Sequence, residues 1–182
     1  MKTKDMVYIG IFAAIITICS WISVPFTVPF TLQTFAVFLA VLLLGGKRGT
    51  LSVLIYILLG VVGLPVFSGF KGGIGAILGP TGGYIIGFIV TALIMWAFEH
   101  IPKMNRTVSS VISMVLGLIA CYAFGTAWFY YVYNNGTDTP ASLSMILGWC
   151  VIPFIIPDLV KILLAFLLGR SKALQNILSG GL

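Results

Sequence analysis

Six apolar runs, parted by short stretches of Gly, Pro or charge, occupy most of this chain. They fall at about 6–24, 31–44, 50–62, 82–98, 108–133 and 143–168. A helix needs about 20 apolar residues to cross a bilayer, so six spans leave only short loops in 182 residues. Charged residues make up 8% of the chain, against about 25% in an ordinary soluble domain, and 60% of residues are hydrophobic. Such a chain cannot cover a water-facing surface. The balance excludes a cytosolic globular protein, a disordered segment and, despite a net charge of +6, a nucleic-acid binder. The expected fold is an all-α integral membrane protein, with six transmembrane helices in one domain over 1–182. The first run is too long for a signal-peptide core and lacks a small-residue cleavage site, so it reads as a retained span.

Charge orients the helices. Lys2 and Lys4 precede the first run, Lys47 and Arg48 join the second to the third, Lys103 and Arg106 join the fourth to the fifth, and Arg170 and Lys172 follow the sixth. With six spans these eight cations share one side, Lys71 is left opposite, and Lys161 lies inside a span. Cations accumulate on the cytoplasmic side, so both termini are expected there. The Pro loop, the Gly-rich loop and the loop at 134–140 then face outward. Pro25 and Pro29 argue for extended chain after the first run. Gly45, Gly46 and Gly49, with two cations between them, exclude one helix through the second and third runs. The sixth run carries Pro153 and Pro157, which remove backbone donors and free carbonyls one turn back.

Few residues could carry chemistry. Asp158 and Lys161 lie inside the sixth run, where a lipid-facing charge costs about 2.5–3.5 kcal/mol. Their i, i+3 spacing puts both on one helix face, which must point into the protein. They either lock the helix as an ion pair or mark a substrate path. Tyr122 lies at similar depth and needs a hydroxyl partner, and Gln33 follows the Pro loop. The Gly-rich stretch at 68–84 fails as a nucleotide loop, because Leu78 stands where G-x-G-x-x-G requires its last glycine. Its glycines instead let main chain approach a ligand and offer N–H groups near the start of the fourth span. Gly10 and Ala14, with Ala13 beside them, form a small-x-x-x-small face on the first span, and Gly83 and Gly87 share that spacing. One histidine, three separated cysteines and no paired acids leave no expected catalytic site, metal or cofactor. ATP-driven work would need another subunit.

The stretches PFTVPFTLQTFAVFLA (25–40), GTLSVLIYILLGVVGLPVF (49–67), GPTGGYIIGF (79–88) and PFIIPDLVK (153–161) closely resemble the BioY family, the biotin-binding S components of bacterial energy-coupling-factor (ECF) transporters. The resemblance extends from the first span to the sixth. It implies an externally open pocket roofed by the first and third outer loops, in a bacterial cell membrane. It also implies partnership with a membrane coupling (T) protein and two ABC-type ATPases. The family's helix-one docking motif matches here at Gly10 and Ala14, with Gly in place of the usual first Ala. Biotin has apolar rings, a ureido head and a carboxylate tail. On this reading Asp158 accepts the ureido N–H groups, and Lys161 balances charge or meets the carboxylate. Tyr122, Gln33, Tyr84 and the backbone of Gly79, Thr81, Gly82 and Gly83 complete the pocket. An S component for another vitamin and a stand-alone carrier or channel remain open at this point.

Overall fold

A computed structural model describes residues 3–102, 105–172 and 174–176. Lys2 and Lys103, two of the cations used to orient the chain, lie outside the described residues. The apolar runs are helical: α1 (Thr3–Trp21), α2 (Gln33–Leu44), α3 (Gly46–Val61), α5 (Gly82–Glu99), α6 (Arg106–Asn135) and the pair α7 (Leu143–Cys150) and α8 (Ile155–Gly169). A short helix, α4 (Ile74–Leu78), lies in the Gly-rich stretch. Among the described residues, four segments are long and apolar enough to cross a membrane: α1, α5, α6 and Leu143–Gly169.

The Pro-rich segment forms a small hairpin. Ser23 pairs with Thr31 and Val24 with Phe30, as strands β1 (Ser23–Val24) and β2 (Phe30–Thr31). Pro25 and Pro29 sit in the connecting loop, where no ladder hydrogen bond is asked of them.

Three local breaks differ from the sequence reading. The first is between α2 and α3, which are parted by Gly45 alone, at φ +81°. That left-handed backbone suits Gly and turns the chain in one residue. Lys47 and Arg48 therefore lie in the first turn of α3 rather than in a loop. Glu99 Oε1 accepts the Gly46 N–H at 2.7 Å and caps this helix from the end of α5. The second break divides the sixth run. Pro153 sits in a turn of 3₁₀ helix at Ile152–Phe154, and α8 starts afresh at Ile155. Pro157 falls in the first turn of α8, where a missing N–H costs little. The third is α4 itself, which stands where the sequence suggested only a loop.

Helix α2 is the central strut. It packs against α1, α3, α5 and α8, and Ala36, Val37, Phe38 and Ala40 are wholly buried. Enclosure explains how a helix of 12 residues serves beside longer neighbours. Helix α8 is inside-out: Asp158, Lys161, Ile162 and Ala165 face inward, while Ile156, Leu159, Leu163 and Leu167 are exposed. A polar inner face and an aliphatic outer face suit a lipid surround.

Helices α5 and α6 meet along a close seam of small residues. A Cβ on Gly87 would lie 2.8 Å from the Cys121 sulfur, and one on Gly125 would lie 2.2 Å from Tyr84 Cδ1. Thr91 Oγ1 completes the seam, donating to the carbonyls of Gly87 (3.0 Å) and Gly117 (2.9 Å). The Gly83–Gly87 spacing thus serves helix approach within the chain.

Candidate binding site

Where the hairpin, α2, α5, α6 and α8 converge, they enclose a cavity of about 740 Å³. That size suits a small organic ligand, for which pockets of roughly 300–1,000 Å³ are usual. Its walls are largely aromatic and aliphatic, with Phe26, Phe67, Phe88, Phe129 and Phe154 among them. Asp158, Lys161, Tyr122 and Gln33 all line it.

Asp158 is the centre of the polar wall. Because α8 restarts after Pro153, Asp158 stands in its first turn, where the helix dipole favours an anion. The Lys161 ammonium donates to Asp158 Oδ1 at 2.7 Å, and the Tyr122 hydroxyl donates to Oδ2. Asp158 and Lys161 are 2% and 4% exposed, so the pair is desolvated rather than surface-screened. A carboxylate offers about four lone-pair sites. With two occupied, Asp158 retains acceptor capacity toward the cavity. Lys161 also lies 4.3 Å from the centroid of the Phe30 ring, which stacks on Phe154 at 5.5 Å. The break at Pro153 and the hairpin at Phe30 thus build this wall together.

Gln33 forms a second polar point. It is buried, at 6% exposed, rather than facing water. Its Oε1 accepts from Thr31 Oγ1 at 2.9 Å, and its Nε2 donates to the Tyr56 hydroxyl. One N–H and one lone pair of this carboxamide remain for a ligand.

The Gly-rich segment divides in two. Gly79 and Thr81 line the cavity, and the Trp128 indole N–H holds the Gly79 carbonyl at 3.0 Å. Gly82 and Gly83 do not line it. A Cβ on Gly82 would lie 1.6 Å from the Ile77 carbonyl oxygen, and one on Gly83 would lie 2.3 Å from Trp128 Cβ. These two are packing glycines. The N–H groups of Gly82 and Tyr84 also have partners, in the carbonyls of Gly79 (3.0 Å) and Thr81 (3.1 Å). Tyr84 lines the cavity, although its hydroxyl is engaged by Thr126 Oγ1 at 2.8 Å.

On the far side of the bundle, Gly10 and Ala14 are exposed, and nothing lies within 4 Å of a Cβ built on Gly10. Ala13 turns inward and is 1% exposed. The small face available to another helix is thus Gly10 and Ala14, flanked by exposed Val7, Ile11 and Ile18.

Sequence reasoning missed Phe154, which lines the cavity, and Phe30 and Tyr56, which stand behind its lining against Lys161 and Gln33. Their contacts are distant in sequence, and no local pattern marks them. Cys121 and Cys150 line the cavity as small apolar side chains. Lys71 had a signal, as the one cation that the charge count leaves opposite the rest.

A polytopic helical membrane protein with a ligand-sized, mostly apolar cavity and a buried acid–base pair in its wall is a binding protein of the membrane. Comparison with known proteins narrows that class. The sequence model described as the BioY family matches residues 1–178. The "Biotin transporter BioY" of Thermotoga maritima is 41% identical over 175 residues, covering 94% of this chain and 98% of the relative. The "Probable biotin transporter BioY" of Pyrococcus horikoshii is 40% identical over 173 residues, covering 93% and 96%. The "Biotin transporter BioY" of Rhodobacter capsulatus is 37% identical over 180 residues, covering 93% of each chain. The fold matches the crystal structure at 2.1 Å of the S-component for biotin from an ECF-type ABC transporter, with TM-score 0.80, 29% identity and 93% of each chain covered. The chain belongs to the BioY family.

Proposed function

We propose that this chain is the biotin-binding S component of an ECF transporter, a non-catalytic subunit in a bacterial cell membrane. It captures biotin from outside and releases it inward when coupled to a T protein and two ABC-type ATPases. The reading takes the chain as one domain of six membrane helices with both termini cytoplasmic. ATP is consumed by the partner subunits, and the chain itself uses no cofactor or metal.

One observation carries the substrate assignment: a desolvated carboxylate, already held by Lys161 and Tyr122, keeps free lone pairs toward an apolar cavity of about 740 Å³. The ureido head of biotin supplies N–H donors suited to such an acceptor, and its fused rings suit the aromatic walls. Asp158 therefore takes the ureido N–H groups, while Lys161 balances its charge. Tyr122 orients the carboxylate. Gln33, Thr81, Tyr84 and the Gly79 backbone complete the enclosure, and Gly82 and Gly83 shape it from behind. The names of the relatives point to the same substrate. Gly10 and Ala14 are the docking surface for the T protein, since a small-residue face lets a crossing helix approach closely. Ala13 supports that face from inside.

The test is equilibrium binding of biotin to the purified chain in detergent, beside a panel of other vitamins. Biotin should bind and the others should not. Preferential binding of another vitamin would overturn the substrate, and ATPase-independent uptake by the chain alone in liposomes would overturn the subunit role.

A further inference from the structure

We propose that Lys71, in the loop between α3 and α4, is the carboxylate-reading residue of the cavity, so that the ligand binds with its donor-bearing head deep and its acid tail at the mouth. The inference rests on the biotin reading above and assigns the residue that recognises the end of the ligand away from Asp158.

The first ground is charge. Among the described residues, the charged side chains lining the cavity are Asp158, Lys161 and Lys71. Asp158 and Lys161 neutralise each other at 2.7 Å, and the Lys161 ammonium is further occupied by the Phe30 ring. Lys71 has no hydrogen-bond or ion-pair partner for its ammonium among the described residues. The cavity therefore carries one uncompensated positive charge, which matches a ligand with one carboxylate.

Position is the second ground. Asp158 and Lys161 are buried, whereas Lys71 is exposed. The fixed pair thus lies deep and the free cation at the rim, which orders the two ends of a bound molecule. An exposed ammonium meets a carboxylate without the desolvation cost of a buried one.

Third, the loop holds Lys71 there by strain. Gly69 and Phe70 both have positive φ, 69° and 58°, a conformation that is uncommon and costly for a bulky side chain. Contacts on either side sustain it. The Phe70 ring stacks on Trp21 at 5.0 Å, and the Trp21 indole N–H holds the Pro65 carbonyl at 2.8 Å. The Phe67 N–H donates to the Lys71 carbonyl at 2.9 Å and closes the turn. Beyond it, Gly72 packs so tightly that a Cβ would lie 2.3 Å from the Leu64 carbonyl oxygen.

The experiment compares biotin with biotinamide, which keeps the head and loses the charge. Each is titrated into the purified chain in detergent, as wild type, Lys71→Met and Lys71→Arg. Wild type should prefer the acid by about three- to tenfold, the range expected of a partly exposed charge pair, and the preference should shrink in high salt. Lys71→Met should bind both compounds equally, with its affinity for the amide unchanged. Lys71→Arg should restore the preference. An acid preference that survives in Lys71→Met, or its absence from wild type, overturns the proposal and leaves the biotin reading standing. Failure of wild type to bind either compound removes the biotin reading itself, and this proposal with it.

Discussion

Replacing Asp158 by Asn asks whether the buried pair binds ligand or only locks α8. The change keeps shape but strips the anion from between Lys161 (2.7 Å) and the Tyr122 hydroxyl. Lys161, 4% exposed, is then a buried cation without its counter-ion, which costs about 3–5 kcal/mol of stability. Loss of the charge-assisted bond to a ligand costs a further 1.5–3 kcal/mol of binding, or about ten- to a hundredfold in affinity. The single variant mixes the two effects, so the decisive chain is Asp158→Asn with Lys161→Met. Removing both charges relieves the orphaned cation, and replacing a buried pair in this way is often neutral for stability. The double variant should therefore melt near the wild type in detergent, while Asp158→Asn alone melts lower. Its biotin affinity, by equilibrium titration, should still fall at least about tenfold. A double variant that recovers stability and also binds biotin like the wild type would reduce the pair to a structural lock, and the assignment of Asp158 would be withdrawn.

Three further outcomes are expected. In a background without Cys19, Cys121 and Cys150, cysteines replacing Lys71 and Asp138 should react with an impermeant thiol reagent in intact cells. Those replacing Lys47 and Lys103 should stay silent until the membrane is opened; labelling of Lys103 from outside would reverse the assigned orientation. Gly10→Trp with Ala14→Trp should leave biotin binding intact, because these positions face away from the bundle, yet abolish co-purification with the T protein and ATP-driven uptake. Collapse of binding with the complex still assembled would move the docking surface elsewhere. Gly125→Ala should lower thermal stability by about 1–3 kcal/mol, since the new Cβ would lie 2.2 Å from the Tyr84 ring; an unchanged melting temperature would show that the α5–α6 seam can yield.

The helices were legible in the sequence because the bilayer imposes a one-dimensional rule. A segment that lives in lipid must be apolar over its length, and any charge within it must face inward; that rule located the apolar segments and the i, i+3 pair at Asp158 and Lys161. Backbone chemistry marked the interruption at Gly45, though not its one-residue form, whereas Pro153 read only as a source of freed carbonyls within one span; a one-residue turn and a 3₁₀ break are set by what each helix end packs against. The cavity was a different matter. That Tyr122 meets Asp158, that Phe30 covers Lys161, that Gln33 turns inward to Tyr56, and that Gly83 packs on Trp128 rather than lining the pocket all depend on residues tens of positions apart. Composition and periodicity describe what each segment does toward its solvent. Which side chains share a wall is decided by how the segments cross, and that rests on packing between surfaces that no single segment contains.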